Sequence, residues 1–315
     1  MTNVSTKGVC SMPDAIEIYG IKLPIVEGKC DLANLIVDSI RKQGLELRDG
    51  DIIVVTCKLI SKCLDLLIDI NDVKPSPRAL AISSKSGVNP RFIELLLRES
   101  DELLLAIPVK ELADRGIIDI YRLSKRPELA KKALEEYPTM FLVLRDGMLW
   151  SDAGIDSSNH PQNILSVPPR NIDAIAKELR DRIRELTGKD IGVVICDTEV
   201  FFVGSLDLAR GSYGIEPVER GFGEKDLYGK PKFGGVDVIA HELCTAAALV
   251  MKQGSQGIPV ALIRGVKYEK CECGYGDRME NIKGYAKALK HIVKHTLRVL
   301  GMKHLLKTLL SSIIK

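Results

Sequence analysis

The chain has 315 residues, of which 45% are hydrophobic and 28% are charged, and its formal net charge is +3. This length allows one large hydrophobic core or two modest ones, and the slight positive charge argues against nucleic-acid binding over the whole surface. No apolar stretch approaches the roughly 18 to 20 residues of a membrane-spanning helix, and residues 1–13 lack the apolar block of a signal peptide, so we expect a cytoplasmic protein.

The first regular elements follow residue 30. Apolar residues at helical spacing predict a helix from Asp31 to Gln43, with Asp31 as the candidate N-cap. The short apolar run Ile52–Val55 then predicts a buried strand. The stretch between Pro108 and Pro138 is charged and weakly periodic, which indicates an inserted helical subelement outside the core.

Helices and strands alternate in the second half of the chain. Periodicity predicts helices over about 171–186 and 236–252. Each is followed by a short β-branched run, Ile191–Cys196 and Val260–Ile263, which predicts a buried strand. The first of these strands ends in Asp197-Thr198, and an acid at the end of a buried strand favours a functional role. This order of elements indicates a mixed α/β protein of the α+β type.

The cysteines lack the paired C-x-x-C spacing of a structural zinc site. In a reducing compartment, most of them are expected to be small buried hydrophobic residues. The pair Cys271 and Cys273, with His291 and His295 downstream, is a weaker candidate for a soft-metal site, because its spacing fits no standard pattern. The eight cysteines stand at positions 10, 30, 57, 63, 196, 244, 271 and 273.

The segment Asp152–Asn159 reads DAGIDSSN and concentrates carboxylates, hydroxyls and an amide in eight positions. Magnesium and manganese prefer such oxygen ligands and bind through one or two carboxylates, with water and substrate phosphates at the other positions. Asp156 and the Asp197-Thr198 pair supply ligands of this kind. The same residue types also make up ordinary solvated turns. Taken alone, neither Asp152–Asn159 nor Asp197-Thr198 distinguishes a metal site from a solvated turn.

Several motifs in a fixed order resemble the coenzyme F420-0:L-glutamate ligase family, over about residues 18–265. In the N-terminal part they are Leu23-Pro24-Ile25-Val26, Asp49-Gly50-Asp51 and Ile60-Ser61-Lys62. Further along they are DAGIDSSN with Val167-Pro168-Pro169, Asp197-Thr198, Lys225-Asp226-Leu227-Tyr228-Gly229, Gly257-Ile258-Pro259-Val260 and Arg264-Gly265. The resemblance implies a gamma-glutamyl-ligase-like fold of two intertwined lobes over residues 14–265, with an insertion at about 108–140, and a homodimer.

The resemblance also implies an activity. Members of the family are GTP-dependent ligases that add L-glutamate to the carboxylate of a deazaflavin coenzyme precursor through an acyl phosphate, with a divalent metal (Mn2+ or Mg2+) and possibly K+. By position, Asp156 and Asp197 would be the catalytic carboxylates and metal ligands, with Thr198 and Gln253 as further metal-site residues. The nucleotide would be contacted by Leu23, Pro24, Ile25, Val26, Lys58, Lys62 and Asn159.

The chain departs from the family pattern on the side expected to meet substrate. After Asp-Thr the family has Gly-Arg, whereas this chain continues with Glu199-Val200. Gln253 stands where a metal-binding acid can occur, and His241 replaces the acid of an A-D-E motif. Three hypotheses therefore remain: a true gamma-glutamyl ligase, a related ligase for another carboxylate, and a non-catalytic nucleotide- or metal-binding paralogue.

Residues 266–315 form a basic tail. From Asn281 to Lys315 there is no acidic residue, while lysines and one arginine recur among apolar residues from Ile282 to Ile313. This pattern predicts one or two amphipathic helices broken near Gly301. We expect the tail to dock on the protein's own body, and contact with a membrane surface or nucleic acid is the alternative.

Overall fold

The computed structural model describes residues 15–201, 204–279, 285–303 and 307. The helices are α1 (Leu32–Lys42), α2 (Cys57–Cys63), α3 (Pro77–Ser86), α4 (Pro90–Glu99), α5 (Val109–Asp114), α6 (Ile120–Leu123), α7 (Pro127–Glu136), α8 (Ile172–Thr187), α9 (Ile239–Met251), α10 (Tyr275–Arg278) and α11 (Tyr285–Leu300). The strands are β1 (Glu17–Ile21), β2 (Ile52–Thr56), β3 (Leu67–Asp69), β4 (Glu102–Ile107), β5 (Met140–Arg145), β6 (Met148–Ser151), β7 (Ile164–Ser166), β8 (Gly192–Phe201), β9 (Gly204–Tyr213), β10 (Glu219–Arg220), β11 (Val236–Asp237) and β12 (Val260–Arg264). This mixture of helices and sheets confirms the predicted α+β class.

A five-stranded sheet in the order β1-β12-β2-β8-β9 forms the centre of the fold. Only β2 and β8 are parallel, and the other neighbours are antiparallel. The parallel ladder ends where Thr56 pairs with Cys196, while β8 and β9 continue together as far as Phe201 and Gly204. The end of the β8–β9 hairpin therefore extends beyond the rest of the sheet.

Side chains of the central strands alternate between two hydrophobic cores. Ile53 and Val55 face the larger core, which α1, α2, α4 and α8 cover, whereas Ile52 and Val54 face the smaller core beneath α9. Successive strand residues point to opposite faces. Because both faces are covered, β2 consists entirely of apolar residues and a threonine, without polar alternation.

Two of the motifs singled out in the sequence, Asp49-Gly50-Asp51 and Arg264-Gly265, stabilise the sheet. Arg264 at the end of β12 donates to both carboxylate oxygens of buried Asp51, from Nε (2.8 Å) and Nη2 (2.7 Å). A bidentate pair of this kind fixes geometry as well as charge. Gly265 has a φ of +88°, and a Cβ there would collide with the carbonyl of Ala15. The D-G-D and R-G motifs therefore have a structural explanation.

The periodicity predictions hold, with corrections at the ends of elements. The helices predicted at 31–43, 171–186 and 236–252 are α1, α8 and α9, and Asp31 caps α1 by accepting from the Asn34 amide at 3.0 Å. The charged stretch after Pro108 contains α5, α6 and α7. The strand predicted at Ile191–Cys196 is longer, because pairing with β9 carries it to Phe201. Asp197 thus lies inside a strand.

The cysteines at positions 57, 63, 196 and 244 are buried, as predicted, but the expectation of free thiols was wrong for most of the described cysteines. Disulfides join Cys30 to Cys63, Cys196 to Cys244 and Cys271 to Cys273, and Cys57 is free and buried. The first ties the loop before α1 to the end of α2, and the second ties β8 to α9. Partners 33 and 48 residues apart leave no local signal in the sequence. Cys10 lies outside the described residues.

Within the described part of the tail, residues 266–274 contain no helix or strand, and the helices α10 and α11 follow. The helix α11 runs from Tyr285 to Leu300 and ends before Gly301, whose φ of +77° is typical of a helix C-terminus. This agrees with an amphipathic helix broken near Gly301. Predictions for Ile282, Leu305, Leu309 and Ile313 lie outside the described residues. None of the described helices is long and apolar enough to cross a membrane.

Candidate functional site

Two lysines of α2 point to one side of the helix. The chain leaves β2 directly into α2, and Thr56 caps the helix by accepting from the Leu59 amide at 3.4 Å. Residues four apart share a helix face, which places Lys58 and Lys62 together. Both ammonium groups reach the segment 156–160.

Both lysines contact the DAGIDSSN segment. Lys58 Nζ lies 2.6 Å from Asp156 Oδ2 and donates to Ser158 Oγ at 2.5 Å. Lys62 Nζ donates to the Asn159 carbonyl at 2.7 Å. Asp156 Oδ1 accepts from the Ser158 amide at 2.6 Å, which closes a tight turn. Motifs about one hundred residues apart in sequence therefore form a single cluster of charges.

Strained backbone before Asp156 holds this segment in position. Asp152, Ala153 and Gly154 have φ values of +48°, +55° and +71°, a conformation that costs energy for residues other than glycine. A Cβ on Gly154 would lie 2.6 Å from both Trp150 and Pro168. Asp152 stabilises the turn by accepting from the Phe141 amide at 2.8 Å, and burial raises the pKa of Asp152 to about 6.

Asp197 lies near Asp156 at the point where β8 passes the end of β2. Burial of its carboxylate raises the pKa of Asp197 to about 7; Arg210 opposes this rise, and the neighbouring charge of Asp156 adds to it. Two acids whose charges repel each other favour an added cation. The two carboxylates that the sequence predicts as metal ligands are therefore within range of each other's charge.

A buried cation–aromatic–acid group lies beside Asp197 and was missed by sequence reasoning. The guanidinium of Arg210 lies 3.8 Å from the ring centroid of Trp150 and pairs with Glu199. Glu199 also accepts from the amide (2.9 Å) and hydroxyl (2.5 Å) of Ser151. Glu199 is thus a buried structural acid. No local sequence signal marks Arg210.

Thr198 and Gln253 occupy the opposite face of the β8–β9 hairpin. Asp207 Oδ1 accepts from Thr198 Oγ1 at 2.7 Å and from Gln253 Nε2 at 3.1 Å. Thr198 and Asp207 are cross-strand partners, and Asp207 is buried. The predicted metal-site residues therefore fall into two groups, with Asp156 and Asp197 in one and Thr198 and Gln253 around Asp207 in the other. Sequence reasoning missed Asp207.

The predicted nucleotide segment lies beside α2. Leu23 is buried and its amide donates to Gly257 at 3.1 Å, whereas Pro24 is exposed, Val26 is half-buried and Ile25 is 88% exposed. The Cys30 amide donates to the Cys63 carbonyl at 3.1 Å, next to the disulfide between these residues. The chain that follows the segment therefore meets the end of α2, and the charge of Glu27 acts on Lys62.

The site combines positive and negative charge in a partly dehydrated environment. Burial lowers the pKa of Lys62, and repulsion from Lys58 lowers it further. Burial also lowers the pKa of His160, whose Nδ1 lies 2.8 Å from the Ser158 carbonyl. Lysines beside a pair of carboxylates are suited to a polyphosphate with a divalent cation.

Known proteins match the chain over most of its length. A family model described as "F420-0:Gamma-glutamyl ligase" matches residues 20–265. A protein of Methanosarcina acetivorans named "Coenzyme F420:L-glutamate ligase" is 32% identical over 90% of this chain and 96% of its own length. Relatives with the same name from Methanothermobacter thermautotrophicus and Archaeoglobus fulgidus are 31% and 32% identical over 79% and 80% of this chain, and over 89% and 88% of their own lengths. The chain belongs to the F420-0:gamma-glutamyl ligase family.

Proposed function

We propose that this protein is a GTP- and divalent-metal-dependent ligase that adds L-glutamate to coenzyme F420-0 or a related carboxylate. Family membership supports a glutamate-adding ligase. The observation that carries the finer proposal is the contact of Lys58 with Asp156 and of Lys62 with Asn159. The contact between Lys58 and Asp156 links a residue predicted to bind the nucleotide to a residue predicted to bind the metal.

The donor set fits a hard divalent cation. Asp156 and Asp197 supply carboxylate oxygens, the ligands that Mg2+ and Mn2+ prefer, and the repulsion between them favours a bound cation. A metal held there would neutralise charge on the transferring phosphoryl group. Asp207, with Thr198 and Gln253, offers oxygens for a second cation, for which Mg2+, Mn2+ and K+ are the candidates.

The protein's own groups would position the reactants. Lys58 and Lys62 act as fixed positive charges for phosphate oxygens, and Lys58 would exchange its contact with Asp156 for one with phosphate. The acceptor carboxylate attacks the terminal phosphorus of GTP and GDP leaves, which gives an acyl phosphate. The amine of glutamate then attacks the acyl carbon, inorganic phosphate leaves, and an amide forms.

A ligase for a different carboxylate is the second candidate, and Glu199-Val200 favours it. This pair stands where the family has Gly-Arg, so Val200 takes the place of the arginine, and Glu199 is buried against Arg210 and Ser151. Neither an apolar side chain nor a buried, paired acid can supply the cationic contact that an anionic acceptor needs. The acceptor is therefore the substrate in which we expect this protein to differ from its relatives.

One assay separates these functions. GTP turnover is measured with Mn2+ in four mixtures: protein alone, with glutamate, with F420-0, and with both. Amide product only in the complete mixture is expected. GTP turnover without amide in the complete mixture would rule out F420-0 as acceptor and favour another carboxylate. No GTP turnover in any mixture would favour a non-catalytic paralogue.

We further propose a homodimer, supported by an exposed apolar hairpin. Residues 219–237, which we call the 219–237 hairpin, begin with β10 and end with β11, and its tip carries Lys225-Asp226-Leu227-Tyr228-Gly229. Leu227 and Phe233 are almost fully exposed and Tyr228 is 88% exposed. Contiguous exposed apolar side chains of this size are typical of interaction surfaces. A second copy of the chain would cover them.

A further inference from the structure

We propose that Cys271, Cys273 and Glu216 form, in the reduced protein, a binding site for one soft divalent cation of the Zn2+ type. The ligand atoms of these residues all lie within 4.8 Å of one another. Thiolates and carboxylates are both common zinc ligands, and three protein ligands with one water complete a tetrahedral set. The site is separate from the carboxylates proposed for catalysis, and its two cysteines lie beyond the residues 20–265 that the family model matches, whereas Glu216 lies within them.

The backbone around the site is held firmly in place. Asp173 accepts from the amides of Tyr275 (2.9 Å) and Gly276 (2.8 Å), just after the cysteine pair. On the other side, the Glu216 amide donates to the Glu269 carbonyl at 2.8 Å. These bonds fix both segments that carry ligands, and a site on fixed backbone needs little reorganisation to bind.

Glu216 is a buried acid that is already oriented by a hydrogen-bond partner. Arg278 donates to it from Nε (3.0 and 3.1 Å) and from Nη2 (2.8 Å). A carboxylate has about four lone-pair sites, so it keeps acceptor capacity for a metal. Carboxylates that bind metals are commonly held by outer hydrogen bonds of this kind. Arg278 is therefore a positioning residue for Glu216.

Charge at the site favours a divalent cation. Two thiolates and Glu216 carry three negative charges, against the positive charges of Arg278 and of Arg220, whose Nη2 lies 3.8 Å from Glu216. Arg278 Nη2 also lies 3.5 Å from Cys271 Sγ, and a positive group beside a sulfur stabilises the thiolate, which is the metal-binding form. The reduced site thus has a net negative charge that a divalent cation offsets.

Redox state controls this site because the disulfide and the metal compete for the same sulfurs. The disulfide closes a ring between residues only two apart, so it restricts the unfolded chain far less than a long bridge does. A dithiol reductant supplies two electrons and two protons, breaks the S–S bond and is itself oxidised to a disulfide. Binding of a divalent cation then releases the two thiol protons to solvent.

The test is a Cd2+ titration of the full chain after reduction and removal of the reductant, followed by the ultraviolet thiolate-to-cadmium charge-transfer band. We expect one equivalent more in the wild-type protein than in Cys271→Ser/Cys273→Ser, and no such difference after oxidation. The Cys30→Ser/Cys63→Ser variant controls for other thiols and should keep that equivalent. Equal stoichiometry in wild type and Cys271→Ser/Cys273→Ser would overturn the proposal.

A second pair of variants tests the carboxylate. Glu216→Gln should weaken Cd2+ binding at the cysteine pair by at least about tenfold. Glu272→Gln, which changes an exposed acid between the two cysteines, should leave the affinity within about twofold. Circular dichroism checks that each variant is folded. Equal affinities for Glu216→Gln and wild type in folded protein would remove Glu216 from the ligand set.

Discussion

Individual polar residues of the site differ in how visible they are in the sequence. Asp156 and Asn159 stand out as candidates because they lie in a dense local motif. Arg210 and Asp207 could not, because their partners Glu199 and Thr198 are brought to them only by the pairing of β8 with β9. Lys58 is an intermediate case. The sequence shows that it follows a buried strand, but it does not show that its ammonium group contacts Asp156.

Replacing Asp156 tests the metal proposal most directly. Asp156→Asn removes one charged ligand but retains an oxygen that can accept from the Ser158 amide, so the turn should persist. We expect Mn2+ affinity, measured by electron paramagnetic resonance, to fall by at least about tenfold. Asp114→Asn, at an exposed acid of α5, is the control. Unchanged Mn2+ affinity in Asp156→Asn would contradict the assignment.

The raised pKa of Asp197 predicts how metal binding depends on pH. A proton and a cation compete for the same carboxylate, so Mn2+ affinity should rise as the pH increases towards about 7 and then level off. The Asp197→Asn variant should bind more weakly and lose this pH step. Calorimetric titration across the range measures both. A step that survives in Asp197→Asn would assign the titration to another group.

The same pKa predicts the stability of the metal-free protein. Because the folded-state pKa of Asp197 is about 7 against an ordinary value of 3.8, the folded protein binds more protons than the unfolded chain between these values. This residue's contribution to the free energy of unfolding therefore falls as pH rises through that window. Urea denaturation should show a smaller fall between about pH 5 and about pH 8 in Asp197→Asn than in wild type. Equal falls would contradict this prediction.

At the scale of helices and strands, part of the fold was predictable. The helices α1, α8 and α9 follow from apolar periodicity and the strands β2 and β12 from short apolar runs, whereas other elements, among them α3, α4 and β9, were not predicted. The length of β8 and the disulfide partners depend on residues far along the chain. Local pattern fixes where an element starts, and long-range pairing decides where β8 ends.

The turn before Asp156 predicts a specific need for glycine. Gly154 and Gly116 both have a φ of +71°, but only Gly154 would place a Cβ against other atoms. Gly116→Ala should therefore cost about 1–2 kcal/mol from backbone strain alone, and Gly154→Ala should cost at least about 3 kcal/mol through added overpacking. Chemical denaturation measures both. Equal losses would show that packing around Trp150 relaxes freely.

The two long disulfides predict a redox-dependent stability. Bridges between residues 33 and 48 apart restrict the unfolded chain, and each should contribute about 3–4 kcal/mol to the free energy of unfolding. Urea denaturation with and without a dithiol reductant measures the total. The Cys30→Ser/Cys63→Ser variant should show a smaller effect of reductant than wild type, while Cys271→Ser/Cys273→Ser should resemble wild type. A wild-type protein indifferent to reductant would contradict this expectation.

At the scale of the whole molecule, a central sheet covered on both faces carries the site at one end. The larger core lies under α1 and α8 and the smaller under α9, so the sheet has little freedom to change. Two of the segments that carry exposed apolar residues, the 219–237 hairpin and the α5–α7 insertion, lie outside these cores. The order of the predicted helices and strands indicated the class of fold, but not which of these surfaces another molecule would cover.

The 219–237 hairpin provides the test of assembly. A Leu227→Ser/Tyr228→Ser/Phe233→Ser variant should shift the mass measured by analytical ultracentrifugation from dimer towards monomer, since it removes the largest exposed apolar side chains. Leu249→Ser, an exposed leucine on α9, is the matched control and should remain dimeric. A dimer that persists unchanged in the triple variant would place the interface elsewhere.

The extension of the β8–β9 hairpin past β2 has a consequence for the history of this family. Asp197 sits at the root of the extension, beside the rigid sheet, while the residues after it lie on an arm that only β9 and a few neighbours support. Exposed positions on the arm, such as Val200, can change without disturbing the cores, whereas changes at its root cannot. Under the proposed function, selection can therefore exchange one acceptor for another there and keep the same phosphate chemistry.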